Sequence, residues 1–270
     1  MKPDPTLPPA SSLLPAATHE LPRALIGRGA PKRLGPALRL LVGNRLDHVS
    51  IGAEDLAMVK DLAGRGTVVW VHRARNPVEH LALTNIVDRE ALPRAAFVGG
   101  LNVVALQGLV ALAARWGSGA TNARREEALL ESCIKADLPA ELFLRRPLHL
   151  LSTSSTIRPR YVETLVRLQR QQQRPIFLVP VFLALRQRPG HFEPTAVDAI
   201  LGSVEEPGLL RAMGRLFAAG DAARLDVSEP IDLQQFLADK GDAADRVVAK
   251  KVRWTILHHL ARVERVAHGP

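Results

Sequence analysis

Hydrophobic and polar residues follow two different spacings along this chain, one typical of buried strands and one typical of amphipathic helices. The almost continuously apolar run at 67–72 is rich in β-branched residues and predicts a buried strand, and the run at 175–185 gives the strongest strand signal. Shorter apolar runs predict strands at 95–98, 140–144 and 222–227, and helical spacing predicts helices at 53–63, 79–88, 101–116, 122–135, 158–173 and 233–266. Strands that alternate with helices predict an α/β fold, in which helices cover a sheet.

The pattern before residue 51 is different. Residues 1–22 are rich in Pro, Ser and Ala without periodicity, which predicts a disordered arm. Residues 23–50 combine basic side chains with apolar residues at helical spacing, so they predict a basic amphipathic helix. Such a helix either rests on an anionic membrane surface or packs on the surface of the domain. We therefore expect four parts: the arm, the basic helical segment, an α/β domain at 51–238 and a C-terminal helix at 239–270.

The composition fits a protein that folds without metal or disulfide support. Hydrophobic residues make up 47% of the 270 positions, which is enough for a full core. The single cysteine, Cys133, excludes a disulfide framework and a multi-thiolate zinc site, and we expect no metal. The chain has no run of about 18 apolar residues that would span a bilayer, and its first residues lack the apolar region of a signal peptide. We therefore expect a cytoplasmic protein.

The charge balance favours anionic partners. Lys and Arg total 36 against 27 Asp and Glu, a formal net charge of +9. An excess of this size attracts phospholipid headgroups, phosphates or nucleic acid, although a solvated basic surface explains it equally well. Only 4% of the residues are aromatic and none is interleaved with a basic run, so base stacking on nucleic acid is disfavoured. We expect an anionic membrane surface or phospholipid as partner, and no nucleic acid.

One segment carries a family resemblance. The stretch Val68-Val69-Trp70-Val71-His72-Arg73-Ala74-Arg75-Asn76-Pro77-Val78-Glu79-His80-Leu81 resembles the first motif of the glycerol-3-phosphate acyltransferase family. In that family an apolar strand runs into His-x4-Asp, and an apolar helix follows. Here Ala74 stands at the histidine position and Glu79 at the aspartate position. The resemblance therefore implies the fold more strongly than it implies the reaction.

Three further segments resemble elements of the same family in the same order. They are Gly99-Gly100-Leu101-Asn102, the apolar strand with a proline at 174–181, and Val227-Ser228-Glu229-Pro230-Ile231. Together they imply a glycerophospholipid acyltransferase-like fold. That fold is a mixed sheet flanked by helices, here with a basic N-terminal helix and a C-terminal helix.

The resemblance also suggests where a catalytic base would lie. In the family the motif histidine removes a proton from the glycerol hydroxyl, and the aspartate orients it. His72 lies two residues before Ala74, so it shares a face of the strand and is a candidate substitute that reaches Glu79 across a turn containing Pro77. His80 is a second candidate, but as a neighbour of Glu79 we expect it to point elsewhere. The alternative is that both histidines are structural.

The family's phosphate-binding motifs are altered as well. The loop that normally supplies an arginine pair has none, and Arg124 and Arg125 follow it at what is otherwise a solvated helix start. The Glu-Gly pair of the third motif is replaced by Arg145 and Arg146, which reverses the charge there. Arginine side chains bind phosphate through paired hydrogen bonds. The resemblance gives five candidates for the substrate phosphate: Arg75, Arg124, Arg125, Arg145 and Arg146.

Two functions follow from the resemblance. In the first, the chain is a divergent acyltransferase that transfers an acyl group from acyl-CoA or acyl carrier protein to glycerol-3-phosphate or a related lipid. It would use His72 with Glu79, be impaired by Ala74, and need no cofactor beyond the acyl donor. In the second, the chain is a pseudoenzyme that binds lipid or a separate acyltransferase chain. Both functions imply a peripheral location on the inner face of the cell membrane.

Overall fold

The structure, a computed structural model, describes six stretches of the chain: residues 46–74, 76–99, 123–145, 160–185, 223–241 and 243–268. The helices in these stretches are α1 (Ala53–Arg65), α2 (Pro77–Arg89), α3 (Ala123–Lys135), α4 (Tyr161–Gln171), α5 (Leu233–Ala238) and α6 (Asp245–His268). The strands are β1 (Ser50–Ile51), β2 (Thr67–Ala74), β3 (Phe97–Gly99), β4 (Ala140–Arg145), β5 (Ile176–Leu185), β6 (Ala223–Val227) and β7 (Ile231–Asp232).

The strands form one mixed sheet in the order β1-β6-β5-β2-β4-β3, with β7 paired to β5. Strands β2, β3, β4 and β5 run parallel to one another, whereas β6 and β7 pair antiparallel with β5, and β1 pairs parallel with β6. The long strand β5 pairs with β2 through its first half and with β6 through its second half. The carboxyl ends of β2 and β4 therefore meet at one edge of the sheet.

Helices cover both faces of the sheet. Alternate residues of β2 point to opposite sides, so Val68 and Trp70 pack in the core under α1 and α2, and Val69 and Val71 pack in the core under α3 to α6. Every one of these four side chains is at most 3% exposed. Burial on both faces explains why the sequence of this strand is continuously apolar rather than alternating.

The α/β prediction is confirmed, and the predicted boundaries agree with the structure to within a few residues. The predicted helix at 233–266 is interrupted, because α5 ends in a turn at residues 239–241. Gly241 has φ +55, and its backbone N–H donates to the carbonyl of Leu237, which ends the helix in the left-handed conformation that glycine adopts readily.

Two predicted parts lie outside the described residues. These are the arm at 1–22 and the helix at 101–116. Of the basic segment, residues 46–50 are described, and 46–47 are helical. In the part of the chain that the structure describes, no helix is long and apolar enough to cross a membrane.

Candidate functional site

Four ionisable side chains meet between the sheet and α2, and we call them the His–Glu cluster: His72, Glu79, His80 and Glu141. His72 lies near the carboxyl end of β2, and Glu141 lies on the adjacent strand β4. Glu79 and His80 lie in the first turns of α2. The cluster therefore connects two parallel strands with the helix that covers them.

The start of α2 positions two members of the cluster. The side chain of Asn76 accepts a hydrogen bond from Val78 N at 3.0 Å, and Pro77 occupies the first turn, so the helix begins at a defined residue. The Asn76 amide also donates to Glu79 Oε1 at 3.3 Å. This fixes Glu79 so that its other oxygen faces β2.

The side chains of the cluster form a chain in which glutamates and histidines alternate. His72 Nδ1 hydrogen-bonds Glu79 Oε2 at 3.0 Å, and Glu141 Oε2 hydrogen-bonds His80 Nδ1 at 2.8 Å. His72 Nε2 lies 3.0 Å from Glu141 Oε1, but the two groups are not aligned as a hydrogen bond, so this is an ion-pair contact. Both ring nitrogens of His72 therefore face a carboxylate.

The cluster is closed to solvent except at one side chain. His72 and His80 are fully buried, and the side chain of Glu141 is 2% exposed. The His72 ring stacks on Phe143, with ring centroids 4.7 Å apart and an interplanar angle of 14°. The side chain of Glu79 is 16% exposed and is the member that reaches the surface.

The carboxylates hold His72 in its protonated form. Burial lowers the pKa of His72, but Glu141 and Glu79 outweigh it and raise that pKa to about 9. Burial likewise raises the pKa of Glu141, and the charges of His80 and His72 outweigh it, lowering that pKa to about 2. At neutral pH the centre of the cluster is therefore an imidazolium between two carboxylates, which favours charge pairing over proton abstraction.

The sequence predicted the pairing of His72 with Glu79, but Glu141 was not among the predicted site residues. Glu141 is an acidic residue inside the apolar strand β4, on the same face as Phe143, and a buried carboxylate needs a positively charged or hydrogen-bonding partner. An acidic residue within an apolar strand was therefore the feature of the sequence that could have identified Glu141 as a site residue. Contrary to our expectation, His80 does not point away from the site, because it contacts Glu141. The catalytic role of His72 and Glu79 stays a prediction.

The position of Ala74, where the family has its histidine, is at the end of β2. It lies in register with Arg145, the last residue of β4. The methyl side chain of Ala74 has no group that accepts a proton. The end of β2 thus places a non-reactive residue where the family places its base.

The structure gives a partial view of the five arginine candidates. Arg124 is exposed in the first turn of α3, and Arg125 follows it on the same helix. Arg145 ends β4, whereas Arg75 and Arg146 lie outside the described residues. Binding of a substrate phosphate by these residues stays a prediction.

Neither a metal centre nor a reactive thiol is found in the described stretches. Within them, no group of three or more His, Cys, Asp or Glu side chains is arranged to hold a metal ion. Cys133 is buried on α3, and burial raises the pKa of its thiol to about 12, so the thiol is protonated and unreactive at neutral pH.

Comparison with known proteins gives a family match. The family described as "Glycerol-3-phosphate acyltransferase PlsB N-terminal domain" matches residues 37–269, a range that includes every helix and strand given above. A search of curated proteins found no match. The family predicted from the sequence motifs is therefore confirmed.

Proposed function

Since this chain belongs to the glycerol-3-phosphate acyltransferase family, through its PlsB N-terminal domain, we propose that it is a non-catalytic member that acts by binding. In this proposal it supports glycerolipid acylation without transferring the acyl group itself. The observation that carries the proposal is the position of His72, whose two ring nitrogens both face carboxylates.

The protonation state of His72 argues against a role as general base. A general base must be unprotonated at the working pH. With a pKa of about 9, His72 is neutral in only about one molecule in a hundred at pH 7. The same two carboxylates that stabilise the charged ring therefore remove the form that catalysis needs.

Access to the ring argues in the same direction. A base must approach the substrate hydroxyl to about 2.6–3.2 Å. At His72 the Nδ1 side is occupied by Glu79, the Nε2 side by Glu141, and one ring face by Phe143. A glycerol hydroxyl has no open nitrogen to approach. Ala74, at the end of the same strand, cannot act as the base in place of His72, because its methyl side chain accepts no proton.

A second candidate function is supported by one observation. His72 Nδ1 and Glu79 Oε2 are 3.0 Å apart, and Glu79 is partly exposed, as in a histidine–carboxylate dyad. An active enzyme of this kind would take its acyl group from acyl-CoA or acyl carrier protein. It would require Glu141 to release Nε2 during each turnover.

Acyl transfer by the purified chain separates the two candidates. The assay uses glycerol-3-phosphate with long-chain acyl-CoA and, in parallel, acyl carrier protein as donor. We expect no product above the protein-free control. Glu79→Gln is the informative variant, because it keeps the size of the side chain and removes its charge. Glu131→Gln is the control, because it removes a charge of the same kind from a glutamate on the surface of α3, which contacts Lys135 and Arg167.

Any robust turnover by the wild-type chain would overturn the non-catalytic proposal. If Glu79→Gln then lowers the rate about 100-fold or more while Glu131→Gln leaves it unchanged, the rearranged dyad is the catalyst. If neither variant changes the rate, another group acts as base. In both cases the chain is an enzyme.

The proposed binding role concerns three ligands. The first is a separate acyltransferase chain that performs the chemistry, and the second is an anionic phospholipid surface on the cytoplasmic side of the cell membrane. The third is the phosphate of glycerol-3-phosphate, for which the arginines at the end of β4 and at the start of α3 are candidates. The net charge of +9 supports anionic ligands in general.

A further inference from the structure

The solvent-facing side of α6 combines exposed hydrophobic residues with lysines, and we call it the α6 face: Val247, Lys250, Lys251, Trp254 and His258. Trp254 is 68% exposed and Val247 47% exposed, and they are the large hydrophobic residues that lie exposed in the described stretches. These residues recur at intervals of three and four, so they lie on one side of the helix. A large exposed apolar side chain on an otherwise polar surface is a sign of an interaction site.

The α6 face is not needed for the core. The opposite side of the same helix supplies the buried residues Val248, Val252, Ile256 and Leu260. Trp254 stacks on the His258 ring, with centroids 5.2 Å apart and an interplanar angle of 8°. The indole is thus held outward by a neighbour on its own helix rather than by the domain interior.

A groove lies beside Trp254, between α5 and α6. It has a volume of about 470 Å³. The Lys240 ammonium lies 5.5 Å from the centroid of the Phe236 ring, which places a cation at one wall. The lining residues are Phe236, Lys240, Lys250, Lys251, Trp254 and Thr255.

The positive charge of this surface is largely uncompensated. The two acidic residues of α6 are both engaged elsewhere: Asp245 pairs with Arg170 of α4 at 2.9 Å, and Glu264 pairs with Arg73 of β2. Among the described residues that line the groove, three are lysines and none is acidic.

We propose that the α6 face binds a bilayer that contains anionic phospholipids. Tryptophan is favoured in the headgroup layer because its ring is apolar and its N–H is polar, and lysines extend an apolar stem before their charge. Basic residues near an anionic leaflet add attraction that salt screens. Exposed basic residues continue along α6 to Arg262, so a flat surface contacts more of them than a compact protein ligand would. The inference rests on the proposed function, because it assigns a surface to the anionic phospholipid ligand named there. It concerns the opposite side of the sheet from the His–Glu cluster, so it does not depend on whether the chain transfers acyl groups.

Vesicle co-sedimentation tests the proposal with the full chain. We expect it to sediment with phosphatidylcholine vesicles that contain about one-third phosphatidylglycerol, to remain in solution with phosphatidylcholine alone, and to be released by 0.5 M NaCl. Trp254→Ala should lower the affinity about tenfold because the apolar contact is lost. Lys250→Glu should lower it roughly tenfold or more, because attraction becomes repulsion.

Lys60→Glu is the matched control, because Lys60 is exposed on α1, on the other face of the sheet. Equal weakening by Lys60→Glu and Lys250→Glu would overturn the assignment to α6 and indicate a non-specific effect of net charge. Absence of sedimentation of the folded wild-type chain with the anionic vesicles would overturn the lipid proposal and favour an acidic protein surface. A chain that does not transfer acyl groups is expected to give the same sedimentation results, for the wild type and for the variants.

Discussion

The His–Glu cluster and the α6 face lie on opposite sides of the same sheet and differ in the pairing of their ionisable groups and in their exposure to solvent. The cluster holds four ionisable groups within hydrogen-bond or ion-pair distance, but solvent reaches it through Glu79 alone. The α6 face has no such set of paired acids and histidines, but Trp254 is 68% exposed. In the part of the molecule that the structure describes, the clustered ionisable groups and the exposed hydrophobic surface therefore lie in different places.

The comparison shows that a histidine 3.0 Å from a carboxylate is not sufficient evidence for a catalytic base. In a working dyad one ring nitrogen is oriented by the carboxylate and the other faces the substrate. In this chain a second carboxylate, that of Glu141, lies 3.0 Å from His72 Nε2, the nitrogen that would have to face the substrate. The sequence motif that runs from β2 into α2 contains the first carboxylate, Glu79, but the second, Glu141, lies on the neighbouring strand β4.

The largest effect expected from this contrast comes from Glu141→Gln. This change leaves the charge of His72 compensated only by Glu79. It also replaces one of the two carboxylate oxygens that face His72 and His80 with an amide NH2 group, which cannot accept a hydrogen bond. Breaking a buried ion pair in this way typically costs about 3–5 kcal/mol, so the free energy of unfolding measured in urea should fall by that amount.

The matched control for this change is Glu131→Gln on α3. Glu131, like Glu141, contacts two basic side chains, here Lys135 at 2.7 Å and Arg167 at 2.9 Å, but at the surface. Exposed pairs contribute about 0–1 kcal/mol. If both variants cost the same, burial does not distinguish the cluster from a surface ion pair.

The next effect is a dependence of stability on pH. The pKa of His72 is raised from 6.5 to about 9, so its contribution is fully present below pH 6.5 and is lost as the pH rises through 9. The pKa of Glu141 is lowered from 4.5 to about 2, so its contribution is present above pH 4.5 and is lost as the pH falls through 2. We expect a plateau from the cluster between these windows, and a decrease on the order of 3 kcal/mol on the alkaline side.

Urea unfolding at a series of pH values from 5 to 9.5 measures this decrease. His72→Gln should flatten the alkaline limb, because it removes the titrating group. His259→Gln is the control, since His259 contacts Glu229 at the surface, and it should retain the slope. An unchanged alkaline slope in His72→Gln would show that another group causes it.

The sequence predicted the features of this fold that depend on local patterns and did not predict those that depend on pairing between distant strands. The strands β2 and β5 were predictable because burial on both faces makes them continuously apolar. Helix α2 was predictable from the spacing of its apolar residues, but it begins at Pro77 after the cap Asn76, two residues before the predicted start at 79. Strands β1 and β7 have two residues each and are formed by pairing with distant strands, so no local pattern marks them. The role of Glu141 depends on the register of β2 with β4, a non-local property that periodicity along one strand does not contain.

The smallest effect is expected on the exposed side. Trp254→Ala should change the free energy of unfolding by less than about 0.5 kcal/mol, because the side chain is 68% exposed and packs on its own helix. Trp70→Ala, the buried counterpart on β2, should cost about 3–5 kcal/mol in the same urea experiment. A large loss for Trp254→Ala would mean that the indole holds α6 in place, and weaker lipid binding by that variant would then reflect misfolding. A small loss together with weaker lipid binding assigns Trp254 to recognition, since a residue that contributes nothing to folding has then been shown to contribute to binding.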